Sequence, residues 1–300
     1  MNKREMEKPG ADARRAAGLF RISMPRKPLR GPSGERLSRG IGSSVEFEEF
    51  REYVCGDDIR HIDWPAYART DQLMVRLYRE EVAPRVEILL DASQSMSSED
   101  VISPDGEEPV TGKKSHITRE TALFFCFLGR ELGAPVTLWW LSDQAEPLRE
   151  EFELHLADRE FDGFAHLPET IHACRSRLKP GTLRIIISDF LFPHNPGELQ
   201  LSLSAAAGHS IFIQVLGRQE IQPVPGKGVL MEDIETGEKL PLRLTSNVIN
   251  GYQQRLGGLQ ENMRRACMRT FSPFAVLDSG FDFVQLCSDV LVPMQIIEPK

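Results

Sequence analysis

Short apolar runs alternate with a helical pattern between residues 84 and 216, and this alternation restricts the chain to few folds. Four runs have the length and composition of strands that are buried on both faces: Arg85–Leu90, Pro135–Leu141, Leu183–Ser188 and Ser210–Leu216. After the first run, Ile117–Leu132 predicts a helix that is apolar on nearly every side and lies against the sheet. The pattern predicts an α/β fold in which helices flank a mostly parallel, Rossmann-like sheet.

Further elements are predicted on both sides of this region. Residues 217–245 have the pattern of a hairpin insertion whose turn lies at Glu235–Glu238. A helix is expected over residues 246–270, capped by Ser246 or Asn247. The other expected elements are the strands Leu73–Tyr78 and Phe274–Leu277 and the helix Asp282–Leu291.

The chain divides into three parts. Residues 1–40 form a basic arm, residues 41–83 a small β-containing extension packed on the core, and residues 84–300 the α/β domain. The arm holds 11 Lys or Arg and 4 Asp or Glu, although the whole chain has a net charge of −8. Because no aromatic residues are interleaved with the basic ones, we expect a flexible extension rather than a nucleic-acid tether.

Composition excludes several classes of protein. No apolar run approaches the ~18 residues that a membrane span needs, and the charged N-terminus lacks the apolar segment of a signal peptide. The five cysteines are scattered without a CxxC pair, which favours reduced thiols and argues against zinc. The seven histidines are dispersed, and the chain has neither a phosphate-binding GxxxxGK[ST] loop nor a GxGxxG loop. We expect a cytoplasmic protein that is not itself an ATPase.

The most informative local pattern is Asp91-Ala-Ser93-Gln-Ser95, which directly follows an apolar strand. Ligands of open α/β sheets bind at the carboxyl ends of the strands, so a site is expected here. A carboxylate and two hydroxyls are hard ligands that suit Mg²⁺ or Mn²⁺ better than zinc or copper. Since hydroxyls are neutral, a cation held in this way stays electrophilic and attracts an outside carboxylate.

Asp189 offers the second carboxylate that such a site needs. It directly follows the apolar strand Leu183–Ser188 and is therefore expected at the same edge of the sheet. Its expected role is to hydrogen-bond a water or a hydroxyl and so to fix the geometry of the metal ligands. The alternative is a purely structural role, in which Asp91 and its serines only cap a turn or a helix after the strand.

Residues upstream of this pattern resemble a known family. Gly42–Phe50, the block Gly56-Asp57-Asp58-Ile-Arg60-His-Ile-Asp63-Trp64 and Ala68-Arg69 are similar to the signature of domain-of-unknown-function family 58 (DUF58). The resemblance is close over residues 40–95 and extends as a pattern to residue 220. It implies a von Willebrand factor A-like domain over residues 84–300 with a metal-ion-dependent adhesion site. It also implies a MoxR-type AAA ATPase as partner.

The sequence departs from this family at three positions. In related A domains a loop threonine completes the metal shell, and the candidate here is Thr170 in Pro168-Glu-Thr-Ile171. Cys55 and Pro65 stand where the family pattern has Pro and Lys. Either Thr170 supplies this ligand, or the ligand is missing or replaced by water in this sequence.

Residues 97–115 form an unusually long connection between the Asp91 pattern and the following helix. Connections of this length are either functional or mobile. We expect a mobile surface loop, and the alternative is that its acidic residues lie over the metal site as an internal ligand.

The signature block has two interpretations. In the structural one, Gly56-Asp57 forms a turn, Arg60 and Arg69 pair with acidic residues, and Trp64 packs as an apolar anchor. In the functional one, the block is a docking face for a partner. The residues concerned in either case are Asp57, Asp58, Arg60, Asp63, Trp64 and Arg69.

Together these features favour a non-enzymatic, metal-dependent interaction module that binds an acidic client protein, works with a MoxR-type ATPase, or does both. The alternative is a Mg²⁺-dependent phosphohydrolase, which also places an aspartate at a strand end. That chemistry commonly needs a carboxylate two residues later as acid or base, and Ser93 occupies that position. Nucleic-acid binding through residues 1–40 is a third and accessory possibility.

Overall fold

The structure is a computed structural model. It describes residues 9–23, 29–30, 36–37, 45–54, 59, 62–80, 85–97, 99–102, 110–224, 228–232 and 239–300. The chain divides into two compact units. The first contains Met1–Met24 and Arg85–Lys300, and the second contains Pro25–Pro84.

The described elements are numbered in chain order. The strands are β1 Phe20–Ile22, β2 Leu29–Arg30, β3 Arg36–Leu37, β4 Val45–Glu52, β5 Met74–Glu80, β6 Val86–Asp91, β7 Glu99–Ile102, β8 Val110–Lys113, β9 Val136–Leu141, β10 Ala145–Leu148, β11 Leu183–Ser188, β12 His209–Leu216, β13 Gly228–Glu232, β14 Lys239–Arg243, β15 Phe274–Asp278 and β16 Ile297–Pro299. The helices are α1 Ala11–Leu19, α2 Trp64–Thr70, α3 Lys114–Glu131, α4 Phe152–Asp158, α5 Leu167–Cys174, α6 Pro196–Leu203, α7 Arg218–Ile221, α8 Ser246–Met268 and α9 Phe283–Leu286. Among these helices, none combines the length and the apolar character needed to cross a membrane.

The main sheet of the first unit confirms the predicted fold class. Its described strands follow the order β10-β9-β6-β11-β12-β15. All neighbours pair in parallel except the edge strand β10, which runs antiparallel to β9. The four predicted apolar runs are β6, β9, β11 and β12, and the strand predicted at Phe274–Leu277 is β15. The result is an α/β fold in which helices flank a mostly parallel sheet, with six strands among the described residues.

Both faces of this sheet are buried, which explains why its strands are apolar without alternation. Ile88 and Leu90 point into one apolar cluster, which includes residues of α1, α3 and α9. Leu89, between them, points into a second cluster with residues of α5, α6 and α8. Burying each such side chain stabilises the fold by roughly 1.5–3 kcal/mol, so a parallel strand of this kind tolerates few polar residues.

Helix α3 confirms the prediction of a helix with little solvent contact, and it begins at Lys114, three residues earlier than expected. The following helix predictions hold with small shifts. Thr245 caps α8 by accepting a hydrogen bond from Val248 N, whereas Ser246 or Asn247 was expected. The segment predicted as a helix over Asp282–Leu291 is α9 followed by a π-helical turn at Cys287–Leu291.

The prediction of a flexible arm over residues 1–40 is wrong for residues 11–22. These residues form α1 and β1, and β1 pairs with β16 in an antiparallel manner. Ala13, Ala16 and Ala17 are buried against α3, and the Glu120 carboxylate accepts hydrogen bonds from Gly10 N at 2.6 Å and Ala13 N at 2.7 Å. The basic composition drew attention away from three alanines at helical spacing, which form the buried face of α1. The Glu120 carboxylate accepts hydrogen bonds from amides at the start of α1 that have no acceptor within the helix.

The long connection of residues 97–115 was expected to be a mobile loop, and this is wrong for the part that the structure describes. Strands β7 and β8 pair as an antiparallel hairpin, and α3 starts directly after β8. Residues 103–109 and the side chains of β7 and β8 lie outside the described residues, so the idea of an acidic internal ligand stays a prediction. The hairpin predicted within residues 217–245 is confirmed as β13 and β14, and its turn lies outside the described residues.

The described residues of the second unit form two antiparallel strand pairs. Strand β4 pairs with β5, with a register shift between Phe47 and Glu49, and β2 pairs with β3. Helix α2 connects β4 to β5, and Asp63 caps it by accepting a hydrogen bond from Ala66 N at 3.0 Å. The strand predicted at Leu73–Tyr78 is β5.

We predict that Glu120→Ala lowers the free energy of unfolding by about 1–3 kcal/mol, because two buried amides of α1 lose their acceptor. Urea denaturation followed by circular dichroism measures this change. Glu150→Ala, which removes an exposed carboxylate, is the matched control and should change stability by less than about 0.5 kcal/mol. Equal stability of the two variants would show that Glu120 does not hold α1 in place.

Candidate functional site

Two aspartates lie at the carboxyl edge of the main sheet. Asp91 is the last residue of β6, and Asp189 directly follows Ser188, the last residue of β11. Strands β6 and β11 are parallel neighbours with Leu90 opposite Ile187, so their carboxyl ends meet. Both aspartates are buried, each with 2% of its surface exposed. The fold therefore brings together the two acidic residues that the sequence singled out.

The Asp91 carboxylate organises the turn that carries the two serines. Its Oδ1 accepts a hydrogen bond from Ser93 N at 3.0 Å, and its Oδ2 accepts one from Ser188 Oγ at 2.6 Å. The Ser93 and Ser95 hydroxyl oxygens lie 3.1 Å apart. An aspartate that accepts from the amide two residues later is typical of a tight turn after a strand. This turn places one carboxylate and two half-buried hydroxyls side by side.

A glycine fixes the neighbouring loop against this turn. Gly163 N donates to Ala92 O at 3.1 Å, and Gln94 N donates to Gly163 O at 2.8 Å, so the loop pairs with the chain around Ser93. A Cβ at residue 163 would lie 2.8 Å from Ser142 Cα. Only glycine allows this close approach of the two backbones.

The fold adds a lysine to the site that the sequence analysis did not identify. Lys114 Nζ donates to Asp189 Oδ2 at 2.8 Å and to Glu220 Oε1 at 2.9 Å. The side chain of Lys114 is fully buried. Glu220 lies on α7, just after the end of β12, and its Oε2 accepts from Gly217 N at 2.7 Å. Three neighbouring parallel strands thus each lead to a carboxylate, and an ammonium joins two of them.

The charges of these groups shift one another's pKa values. Burial, together with the charge of Asp189, raises the pKa of Asp91 to about 6. Burial acts in the same direction on Asp189, but the Lys114 ammonium outweighs it, so the pKa of Asp189 is lowered. Burial would lower the pKa of Lys114, but the charges of Asp189 and Glu220 raise it above its ordinary value. Burial raises the pKa of Glu220 and, together with the charge of Glu220, raises the pKa of Tyr252 to about 12.

A family model described as "Protein of unknown function DUF58" matches residues 49–258, which is more than half of the chain. The chain belongs to the DUF58 family. The signature block Gly56–Trp64, Ala68-Arg69 and the Asp91 pattern lie within the matched region, whereas residues 42–48 of the quoted signature precede it.

Two solved structures are among those similar to this DUF58 chain. One is the conserved hypothetical protein BatB from Bacteroides thetaiotaomicron, with 15% identity, a TM-score of 0.34, and coverage of 62% of this chain and 99% of that one. The other is an aerotolerance-related membrane protein from Bacteroides fragilis carrying multiple mutations to serine, with 11% identity, a TM-score of 0.33, and coverage of 61% and 99%. No curated protein matches the chain significantly. These likenesses are too distant to assign a function.

The structure does not support Thr170 as a metal ligand of this DUF58 chain. Thr170 lies within α5, is buried, and donates its hydroxyl hydrogen to Leu167 O at 3.1 Å. The loop that pairs with Ser93 is centred on Gly163, and residues 159–166 contain no Ser or Thr. The hydroxyl expected from the family pattern is therefore absent from this loop.

Part of the signature block, including Asp57, Asp58 and Arg60, lies outside the described residues. In the described part, Asp63 caps α2, whereas Trp64 is 58% exposed instead of packed as an apolar anchor. Trp64 makes an edge-to-face contact with Tyr67, with the ring centroids 6.3 Å apart. Arg69 Nε donates to Pro65 O at 3.2 Å, a bond within α2, where an acidic partner was expected.

The donor set around Asp91 fits a hard cation. Asp91, Ser93 and Ser95 provide oxygen ligands on one turn, and the Ser95 hydroxyl contributes to lowering the pKa of the neighbouring Asp189. No cluster of three or more His, Cys, Asp or Glu side chains suited to a metal is found among the described residues. A cation at this turn would therefore depend on the serine hydroxyls.

We predict that Asp189→Ala lowers the free energy of unfolding by about 3–5 kcal/mol, because it removes one of the two carboxylates that compensate the buried Lys114 charge. Lys114→Met should be destabilising for the reciprocal reason. The double variant should lose less stability than the two single losses together, as measured by urea denaturation. Asp158→Ala, at an exposed position, is the control and should be close to neutral. Simple additivity in this cycle would show that the pair does not act as a unit.

Proposed function

We propose that this DUF58 chain is a non-enzymatic, metal-dependent interaction module that binds a carboxylate of a partner protein. The observation that supports this proposal most is the convergence of Asp91, Ser93 and Ser95 on one turn, with Asp189 beside it at the same edge of the sheet. In this role Asp91, Ser93 and Ser95 hold Mg²⁺ or Mn²⁺, and Asp189 orients the Ser95 hydroxyl.

The chemistry of the ligands explains why such a module would capture an acidic group. When bound, the cation supplies a charged coordination position for an incoming oxygen. Serine hydroxyls contribute no charge, so a site with Asp91 as its one charged direct ligand leaves the cation strongly attractive to a carboxylate. The absence of a hydroxyl residue in residues 159–166 leaves one more position for water or for the partner.

The surface around the turn provides apolar contact area for a partner. Phe164, next to the glycine that pairs with Ser93, is 63% exposed. An aromatic side chain beside a charged anchor is typical of positions that contribute strongly to protein interfaces. The partner would combine an acidic residue with an apolar segment.

The family resemblance suggests the identity of this partner. DUF58 proteins resemble adaptors or co-chaperones of MoxR-type AAA ATPases, and this chain has no nucleotide-binding loop of its own. The proposed partner is therefore a MoxR-type ATPase, an acidic client of that ATPase, or both in one assembly.

A Mg²⁺-dependent phosphohydrolase stays the alternative, and the residue type at position 93 does not favour it. Residue 93 is a serine and offers no carboxylate for proton transfer.

We predict that Asp91→Ala abolishes Mn²⁺ binding measured by isothermal titration calorimetry. The variant should also lose binding to the MoxR-type ATPase of the same genome, measured by biolayer interferometry in magnesium buffer. The reason is that Asp91 is the charged ligand on the proposed metal turn. Asp158→Ala, which removes an exposed aspartate at the end of α4, is the matched control and should bind as the unaltered chain does.

Circular dichroism must first show that the Asp91→Ala variant is folded. If the folded variant kept full affinity for the ATPase in the presence of EDTA, the metal-dependent function would be wrong. Loss of binding in EDTA with the unaltered chain is the corresponding positive result.

We also predict that the chain with magnesium releases no phosphate from p-nitrophenyl phosphate above the level of a buffer control. The physical reason is that residue 93 is a serine, so the turn has no carboxylate there to act as acid or base. Phosphate release that disappears in Asp91→Asn would favour the phosphohydrolase over the interaction module.

A further inference from the structure

Lys114 occupies a position that a resident cation would compete for. Its ammonium lies 2.8 Å from Asp189 Oδ2, and the Lys114 side chain has no exposed surface. Asp189 also interacts with the Ser95 hydroxyl, one of the proposed metal ligands. The proposed metal turn and the lysine therefore share one carboxylate.

Electrostatics opposes the presence of two cations at this carboxylate. An ammonium has three donors and no lone pair, so it repels a divalent cation and cannot coordinate it. Buried charges a few ångströms apart interact strongly because water does not screen them. Lys114 would therefore weaken the binding of a metal ion at Asp91, or the metal ion would displace the Lys114 ammonium from Asp189.

Glu220 offers the lysine a second position. Its Oε1 accepts from Lys114 Nζ at 2.9 Å, and its other oxygen is held by Gly217 N at 2.7 Å. Lys114 is the first residue of α3, so its backbone is held by the helix and only its side chain needs to shift. The ammonium can therefore leave Asp189 and remain paired with a buried carboxylate.

We infer that Lys114 is a tethered cation whose charge at Asp189 opposes a divalent metal on the neighbouring Asp91 turn, and that Glu220 retains the ammonium when the metal binds. This inference rests on the proposed metal-dependent function and adds a regulatory element to it. The unoccupied and the metal-bound states then differ in the partner of one lysine. Metal affinity is set by this exchange as well as by the ligands on the turn.

The test is the affinity for Mn²⁺, measured by isothermal titration calorimetry on the full chain. Lys114→Gln keeps hydrogen-bond donors near both carboxylates and removes the charge, and it should bind Mn²⁺ about tenfold or more tightly than the unaltered chain. Lys114→Met should show the same direction. Lys179→Met is the matched control, because it removes one positive charge from an exposed position at the opposite, amino end of β11, and its affinity should be unchanged.

A second variant tests the role of Glu220. Glu220→Gln removes the charged position that receives the displaced ammonium, so Mn²⁺ affinity should fall. In the double variant Lys114→Gln/Glu220→Gln, the loss caused by Glu220→Gln should be smaller, because no ammonium needs a new partner. An equal loss in both backgrounds would show that Glu220 acts by its charge alone and would overturn its proposed role.

The outcomes separate this inference from the proposed function. If the unaltered chain binds Mn²⁺ and Lys114→Gln binds it no more tightly, the competition is refuted while the metal-dependent function stands. If the unaltered chain and both Lys114 variants fail to bind Mn²⁺ at millimolar concentration, the metal-dependent function itself is refuted. If Lys114→Met is unfolded in EDTA, recovery of its circular dichroism spectrum on addition of Mn²⁺ supports the inference. If the spectrum does not recover, the Mn²⁺ affinity of Lys114→Gln decides the question.

Discussion

The parallel pairing of β6 with β11 is the constraint on which the rest of the site depends. Because Leu90 lies opposite Ile187, Asp91, Ser188 and Asp189 come together at one edge of the sheet without any long-range adjustment. Each strand is buried on both faces, so a shift in register would move polar residues into apolar layers. The packing of the core thereby fixes the geometry of the carboxylates that Lys114 and the serine turn contact.

The sequence predicted the elements that physical periodicity determines and missed those that depend on contacts between distant segments. Uninterrupted apolar runs identified β6, β9, β11 and β12, and the strand-end rule placed Asp91 and Asp189 correctly. Lys114 was assigned to a mobile loop, because nothing in residues 97–115 shows that its ammonium meets Asp189 and Glu220. Glu220 follows a strand end as the two aspartates do, so the same rule, applied to β12, would have identified it.

The misplacement of Thr170 has a different cause. Its assignment relied on a family pattern whose spacing is not kept here, whereas the backbone pairing of Gly163 with the chain around Ser93 determines which loop faces the turn. That loop contains an exposed phenylalanine and no hydroxyl residue. The prediction of a flexible arm at residues 11–22 was wrong for a similar reason. The interpretation of residues 1–40 relied on their basic composition and not on the helical spacing of three alanines.

Through the hydrogen bonds from Gly10 and Ala13 to Glu120, helix α1 is held against α3, the helix whose first residue reaches the carboxylate cluster. In a shortened chain that started at residue 20, the Glu120 carboxylate would face apolar surroundings without an amide that donates a hydrogen bond to it. The exposed flank of α3 would then be prone to self-association. Recombinant boundaries that follow only the family match, which starts at residue 49, would remove this cover.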